Sequence, residues 1–142
     1  VWSPNEIYFE SRVPNAHKLE LFYPGDDYVD WVGFSSFNWA GTYKHNLWRT
    51  PEDLFDHTLV QLKVFNKPVM ITETASAEDY AARGRKARWI SQLAEYIEKN
   101  SEIKGLVWFN TEDNGVNWSI DSSDVSANAF KESLGSYFVQ GD

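Results

Sequence analysis

The chain has 142 residues, of which 42% are hydrophobic and 16% aromatic, with 21 acidic against 13 basic residues and no cysteine. This composition predicts one globular domain over residues 1–142 and excludes a disordered tail, a collagen or a coiled coil. The formal charge of −8 argues against a nucleic-acid partner or an anionic membrane surface, because both attract positive charge. Without cysteine there is no thiol nucleophile and no disulfide framework.

The first predicted strand and the long loop after it open the chain. The chain begins with Val1 and its sole Met is Met70, so we expect a processed product or a piece of something longer. No signal-peptide pattern occurs, and no apolar run approaches the roughly 20 residues of a membrane span. Residues 1–3 have the pattern of a strand end, and residues 4–20 that of a loop with a short helix.

Three further strands then alternate with three helices. A Pro-Gly turn over residues 23–26 precedes a short apolar strand over 31–35. Thr50 and Pro51 have the chemistry of a helix start, and apolar residues at helical spacing follow to about residue 65. The remaining predicted elements are a strand over 68–73, a helix from after Gly84 to about 100, a strand over 103–110, a polar loop through 118 and a helix over about 127–138.

This alternation predicts an α/β fold of parallel strands joined by helical crossovers. A doubly wound nucleotide-binding sheet needs a glycine-rich turn after its first strand, and none is present. A β/α barrel instead builds its active site at the C-terminal ends of its strands, where this sequence has aromatic, amide and carboxylate residues. Because four strands are visible and a barrel has eight, the pattern predicts half of a (β/α)8 TIM barrel.

The residues at the predicted strand ends suit a carbohydrate site. Glycoside hydrolysis commonly uses two carboxyl groups, and Glu73 ends an apolar strand as one of them, the alternative being a solvated loop residue. The tryptophans Trp2, Trp39 and Trp108 offer flat apolar surfaces to sugar rings, or else pack between sheet and helices. Asn38 offers an amide group just after the C-terminal end of the predicted strand over 31–35.

Metal and cofactor motifs are missing from the sequence. The three histidines, His17, His45 and His57, lack metal-ligand spacing, and neither a zinc-protease helix nor a calcium loop occurs. No nucleophile elbow is present either. We therefore expect no metal and no cofactor.

Several segments together resemble a known family. The strings VWSPN, YPGDDYVDWVG, KPVMITET and GLVWFN followed by WSID resemble, in order and spacing, the second half of the barrel of glycoside hydrolase family 26. That family holds β-mannanases and some β-glucanases and xylanases. The resemblance spans essentially the whole chain, as strands five to eight of a (β/α)8 barrel.

The resemblance implies roles for particular residues. Glu73 matches the catalytic nucleophile of the family, and Trp108 matches an aromatic residue that lines the sugar subsite at the cleavage point. The acid/base glutamate of the family belongs to strand four, upstream of Val1, and neither Glu6 nor Glu10 matches a catalytic position. The implied partners are a polysaccharide or oligosaccharide substrate and the N-terminal half of the barrel.

Two positions depart from the family pattern. Where the family has an aspartate and, two residues later, a tyrosine, this sequence has Ser35 and Phe37. The tyrosine hydroxyl is expected to hydrogen-bond the nucleophile, and Phe37 has no hydroxyl. Asn38 is the neighbour that would substitute for it.

The leading hypothesis is a retaining hydrolase of β-mannan or β-glucan, secreted, although a cytoplasmic location stays open. A non-catalytic carbohydrate-binding or scaffold module derived from the same barrel is the main alternative. A different barrel hydrolase family with a glutamate on the same strand is a third. On its own the chain is expected to be inactive and to self-associate, because a half barrel leaves two strand edges unpaired.

Overall fold

The computed structural model describes residues 1–7, 18–39 and 47–137. Three 3-10 helices, Leu19–Phe22, Lys63–Phe65 and Gly135–Tyr137, accompany the main elements. Residues 8–17 of the predicted first loop, and residue 138 at the predicted end of the last helix, lie outside the described residues. The main elements in chain order are β1 (Val32–Asn38), α1 (Pro51–Leu62), β2 (Val69–Ser76), α2 (Arg85–Lys99), β3 (Ile103–Trp108), β4 (Glu112–Asp113), β5 (Val116–Asn117) and α3 (Asp124–Ser133).

The central sheet is parallel and follows the chain order β1-β2-β3. The first residues of the chain run beside β1, because Trp2 forms a parallel bridge to Val32 and Asn5 one to Ser35. Where the sequence predicts a strand end over residues 1–3, the structure has two isolated bridges, at residues 2 and 5. The α/β class with parallel strands and helical crossovers is confirmed.

The apolar core lies between the sheet and the helices. Phe34 of β1 and Ile71 of β2 are fully buried on this side. Phe34 packs edge-on against Phe55 of α1, with ring centroids 5.4 Å apart, and Phe55 packs against Trp89 of α2 at 6.5 Å. Burying each such side chain stabilises the fold by about 1.5–3 kcal/mol, so this layer holds the strands in register.

The helix boundaries follow local chemistry. The Thr50 side chain accepts a hydrogen bond from the Asp53 backbone N–H at 3.2 Å, and the Asp53 carboxylate accepts one from the Thr50 N–H at 2.9 Å. This reciprocal capping box, with Pro51 in the first turn, confirms the predicted start of α1. Gly84, at φ 75°, precedes α2 where the sequence predicts its start.

The strands β1 and β2 are longer at their C-terminal ends than predicted. β1 ends at Asn38 and β2 at Ser76, so Glu73 lies within β2 and is not its last residue. Cross-strand side-chain bonds explain the extension: Asn38 Nδ2 donates to Ser76 Oγ at 3.0 Å, and Thr74 Oγ1 donates to the Ser36 carbonyl at 2.7 Å. Polar residues continue the pairing because each is satisfied inside the sheet.

A β-hairpin replaces part of the predicted polar loop between β3 and α3. Its strands β4 and β5 are joined by Asn114 and Gly115, which have φ 52° and 73°. Both residues lie in the left-handed region that a type I′ turn requires, and Asn-Gly is the preferred pair for such a turn. The helix α3 begins earlier than predicted because the Ser123 side chain caps it, accepting from the Ser126 N–H at 3.3 Å.

Candidate active site

A β-bulge decides which face of the sheet carries Glu73. Phe34 pairs with Ile71, but the next residue, Ser35, pairs with Glu73, so Thr72 is an extra residue in β2. Regular alternation would place Glu73 on the same side as Ile71, facing the helices. The bulge shifts this alternation by one residue and brings Glu73 to the opposite side, next to Ser35.

We call the side of the sheet away from α1 and α2 the open face. It is built by Gly33, Ser35 and Phe37 of β1, Met70, Thr72 and Glu73 of β2, and Gly105 and Val107 of β3. The Glu73 side chain is exposed there. Among residues 1–7, 18–39 and 47–137, none hydrogen-bonds or forms an ion pair with its carboxylate. The carboxylate is therefore available to a ligand.

A cluster of hydroxyl groups lies beside Glu73 on the open face. The Ser35 and Thr72 hydroxyl oxygens are 3.3 Å apart, and Thr72 also hydrogen-bonds the Ser3 hydroxyl. Gly33 makes room for Thr72, since a Cβ at this position would lie 2.8 Å from Thr72 Cγ2 and 2.6 Å from the Met70 carbonyl oxygen. Thr72, the bulged residue, is thus held by Ser35 of β1 and by Ser3 of the N-terminal segment that runs beside β1.

Four aromatic rings, which we call the aromatic wall, stand at the C-terminal end of the open face: Phe37, Trp39, Phe109 and Trp118. Phe37 pairs with Ala75, two pairs beyond the pair of Ser35 and Glu73. Its ring contacts those of Phe109 and Trp118, both at 5.5 Å, and Trp118 also contacts Trp39 at 4.8 Å. Trp118 is buried, whereas Trp39 is half-buried. Part of Trp39 is therefore accessible to solvent at a position where the sequence predicts sugar contact.

Trp108 lies on the helix-facing side, which corrects the predicted sugar contact. It is the last residue of β3 and pairs with Thr74, the neighbour of Glu73 that points to the opposite face. Its ring is 7% exposed and packs edge-on against Trp89 and Phe130, at 6.0 Å and 5.5 Å. The structure thus places Trp108 in the packing between the sheet and the helices, and not beside Glu73.

Trp2 likewise packs away from Glu73. It pairs with Val32, the first residue of β1, at the N-terminal edge of the sheet. Its ring contacts those of Tyr23 at 5.3 Å and Phe65 at 5.5 Å. The structure therefore places Trp2 in this aromatic cluster and not beside Glu73, where the sequence predicts contact with substrate.

Asn38 is fully buried and takes no part in the open face. Besides its bond to Ser76, its side-chain oxygen accepts from the Arg49 backbone N–H at 3.1 Å. Arg49 in turn donates to the Glu6 carboxylate at 2.6 Å, and Glu6 also accepts from the Ser36 hydroxyl. The structure therefore places Asn38 on the helix-facing side of the sheet, away from Glu73 and from the predicted place of the missing Phe37 hydroxyl.

A buried polar cluster between α2 and α3 escaped the sequence interpretation. Lys86, fully buried, donates to the Ser119 carbonyl at 2.7 Å and to the Ser122 hydroxyl at 2.8 Å. Glu78 accepts from the serine hydroxyls at positions 122, 123 and 126. The signal was present: Lys86 lies four residues before Ile90, on the apolar face of α2.

The described residues contain no group of three or more His, Asp or Glu side chains that could hold a metal ion. His57 is exposed on α1 beside Gln61, with side-chain nitrogens 3.3 Å apart, while residues 17 and 45 lie outside the described ranges. No helix in these ranges is long and apolar enough to cross a bilayer.

Solved structures of glycoside hydrolases share this fold. A variant of the family 128 (subgroup I) endo-β-1,3-glucanase of Amycolatopsis mediterranei, with laminaripentaose bound, superposes with a TM-score of 0.52 and 13% identity, over 74% of this chain and 45% of that one. The subgroup II enzyme of Sorangium cellulosum gives 0.53 and 18%, over 74% and 41%. These likenesses show a shared fold.

One curated protein is similar in sequence. The chain is 34% identical over 126 residues to Endoglucanase H of Acetivibrio thermocellus, an alignment that covers 87% of this chain. The chain spans 14% of the length of that relative. No protein-family model matches the chain.

Proposed function

We propose that this chain supplies Glu73 as the catalytic nucleophile of a retaining β-glucan hydrolase. The observation that carries the proposal is the position of Glu73: exposed on the open face and left without a partner by every described residue. Burial or pairing would fix a structural carboxylate, whereas a nucleophile must reach a ligand. The glycoside hydrolase fold and the similarity to an endoglucanase support β-glucan, and the resemblance to family 26 keeps β-mannan as the competing polymer.

The chemistry proceeds in two displacements. A Glu73 oxygen attacks the anomeric carbon while the glycosidic C–O bond breaks, and the leaving oxygen takes a proton from a second carboxyl group. The resulting glycosyl ester is attacked by water, which gives its proton back to that second group and restores the Glu73 carboxylate. Two inversions give net retention, with the carboxyl groups about 5 Å apart.

The second carboxyl group is proposed to come from sequence outside the 142 residues. Glu73 is the sole acidic residue in β1, β2 and β3. The nearby Glu6 is bound by Arg49 and Ser36 on the other side of the sheet. This is consistent with residues 1–6 and the three strands acting as strands five to eight of a (β/α)8 barrel, whose other half carries the acid. An insoluble polymer substrate would also favour secretion.

A non-catalytic carbohydrate-binding module is the second candidate function. Phe37 and Ser35 favour it, because Phe37 lacks the hydroxyl and Ser35 lacks the carboxylate that the family pattern places around the nucleophile. Such a module would use the aromatic wall to hold a glucan and would leave the glycosidic bond intact.

Replacement of Glu73 separates the two functions. In the full-length protein, Glu73→Ala should lower turnover of mixed-linkage β-glucan by several orders of magnitude, because a nucleophile acts mainly in the transition state. Glu95→Ala, which removes an exposed carboxylate on α2, is the matched control and should leave turnover unchanged. Circular dichroism should show both variants folded.

Four outcomes would decide against the proposal or a part of it. Equal turnover by Glu73→Ala and the parent would remove Glu73 from the mechanism. Binding of β-glucan without hydrolysis by the parent would establish the binding module. An α-configured first product, read by NMR, would exclude retention, and preferred hydrolysis of β-mannan over β-glucan would correct the substrate.

A further inference from the structure

We infer that Lys86 is a positioning residue that fixes residues 118–122 and thereby sets the aromatic wall beside Glu73. The consequence for catalysis rests on the proposed function. The effect of Lys86 on the position of Trp118 does not depend on the proposed function and can be measured separately.

Lys86 is the second residue of α2, yet its side chain is fully buried. Its ammonium group donates to the Ser119 carbonyl at 2.7 Å and to the Ser122 hydroxyl at 2.8 Å, and lies 5.8 Å from the centroid of the Trp108 ring. A buried ammonium group is tolerated only where such partners replace water. The two acceptors belong to the segment that joins β5 to α3, so this segment is the one that Lys86 fixes.

Two carboxylates face the ammonium group. Glu78 follows β2 and Asp121 lies in the fixed segment itself. Burial lowers the pKa of Lys86 to about 8, while Glu78 and Asp121 act in the opposite direction. Glu78 also accepts from the hydroxyls of Ser122 at 2.7 Å and Ser126 at 2.9 Å. Lys86 therefore holds the segment between β5 and α3 directly, and Glu78, in the loop after β2, holds the same segment through Ser122.

Trp118 transmits this anchoring to the open face. It directly precedes Ser119, the residue whose carbonyl Lys86 binds. Its own backbone is held by Thr111, whose carbonyl accepts at 3.0 Å, and its carbonyl accepts from Trp108 Nε1 at 2.9 Å. Its buried ring then packs against Phe37 and Trp39. Loss of the Lys86 contacts removes the hydrogen bond that fixes the backbone at Ser119, next to Trp118, and so changes the position of the Trp118 ring.

The test uses the full-length protein with Lys86→Met, which keeps the apolar stem but removes the donors and the charge. Lys86→Arg keeps both and should restore part of the parent behaviour. Arg88→Met, at an exposed position of the same helix, is the matched control. Trp118 is followed by fluorine NMR after 5-fluorotryptophan labelling, with its signal assigned from Trp118→Phe. KM and kcat for β-glucan are measured at a temperature where every variant is folded.

In Lys86→Met, the Trp118 signal should shift or broaden, and KM should rise roughly tenfold with a smaller change in kcat, because a displaced wall loses aromatic contact with the sugar. Arg88→Met should change neither. A lower melting temperature with an unchanged Trp118 signal and unchanged KM would reduce Lys86 to a stabilising residue and overturn the inference.

Two further outcomes are distinguishable. If the parent hydrolyses no glucan but Lys86→Met moves the Trp118 signal, the proposed function fails and the positioning role is supported. If Lys86→Met does not fold, Ser122→Ala, which removes one of the two Lys86 acceptors, replaces it. A shift or broadening of the Trp118 fluorine signal in Ser122→Ala then supports the inference, and an unchanged signal overturns it.

Discussion

Two glutamates near the C-terminal half of the sheet, Glu6 and Glu73, carry the same functional group but differ in burial and in pairing. Glu6 is turned to the helix-facing side, where its side chain is 6% exposed and bound by Arg49 at 2.6 Å. Glu73 lies on the open face, exposed and without a described partner. The comparison teaches that strand-end position alone does not identify an active-site residue. The face of the sheet on which a carboxylate lies is the better guide. The carboxylate on the helix-facing side is bound by other residues of the fold, whereas Glu73 on the open face remains accessible to a ligand.

The tryptophans divide in the same way. Trp108 is buried between β3 and the helices, whereas Trp39, a member of the aromatic wall, is only half-buried. Residues on the helix-facing side should therefore govern stability, and those on the open face should govern sugar binding and turnover.

The largest expected loss of stability comes from Trp108. Trp108→Ala should lower the free energy of unfolding by about 3–5 kcal/mol, the usual cost of truncating a large core residue. Urea denaturation of the full-length protein measures this, with Trp39→Ala as the partly exposed counterpart that should lose far less. Unchanged stability together with weaker sugar binding would return Trp108 to the substrate-binding role.

The next largest effect concerns the pair formed by Arg49 and Glu6. Arg49→Met leaves the Glu6 carboxylate buried without its counter-charge and should cost about 3 kcal/mol of unfolding free energy. Lys63→Met, which breaks the more exposed pair with Glu102, should cost less than about 1 kcal/mol. Equal costs in the two variants would contradict the structural role assigned to the buried pair of Arg49 and Glu6.

A smaller effect, on binding and not on stability, is expected at Trp39. Trp39→Ala should weaken binding of β-glucan oligosaccharides by about 1–2 kcal/mol, because one aromatic platform is lost. Calorimetric titration of the full-length protein provides the number, and Tyr80→Ala, at an 87% exposed ring, is the control. If both variants bind like the parent, the aromatic wall lies outside the substrate path.

The smallest effect is a change in acid sensitivity. Burial acts to raise the pKa of Glu78, but the serine hydroxyls and Lys86 outweigh it and hold the pKa below its ordinary value of 4.5. The stabilisation is therefore complete above pH 4.5 and is lost as the pH falls through the lowered pKa. Glu78→Gln should show a flatter decline of melting temperature between pH 6 and pH 3. Parallel curves for variant and parent would contradict this account of Glu78.

Much of the fold could be predicted because its signals are local. The capping chemistry of Thr50 and Pro51 and the helical spacing of apolar residues depend on near neighbours along the chain, so α1 begins where expected. The alternation of strands and helices indicated the parallel sheet, and an acidic residue inside an apolar strand marked Glu73.

The orientation of side chains could not be predicted, because it depends on pairing between distant segments. Regular alternation along β2 would have buried Glu73, and only the bulge at Thr72, visible in the register with β1, brings it to the open face. Asn38 and Trp108 were assigned to the site from their place at strand ends, yet both point to the helices. The position of Lys86 on an apolar helix face was a readable sign that its partners are buried.

The most direct test of the central claim is to trap the glycosyl ester. The full-length protein would be incubated with a 2-deoxy-2-fluoro-β-glucosyl oligosaccharide carrying an activated leaving group, and its proteolytic peptides analysed by mass spectrometry. We expect stoichiometric inactivation and a single added sugar on the peptide that contains Glu73, with no labelling of Glu73→Ala. A label on another carboxylate, or hydrolysis without any covalent intermediate, would contradict the account.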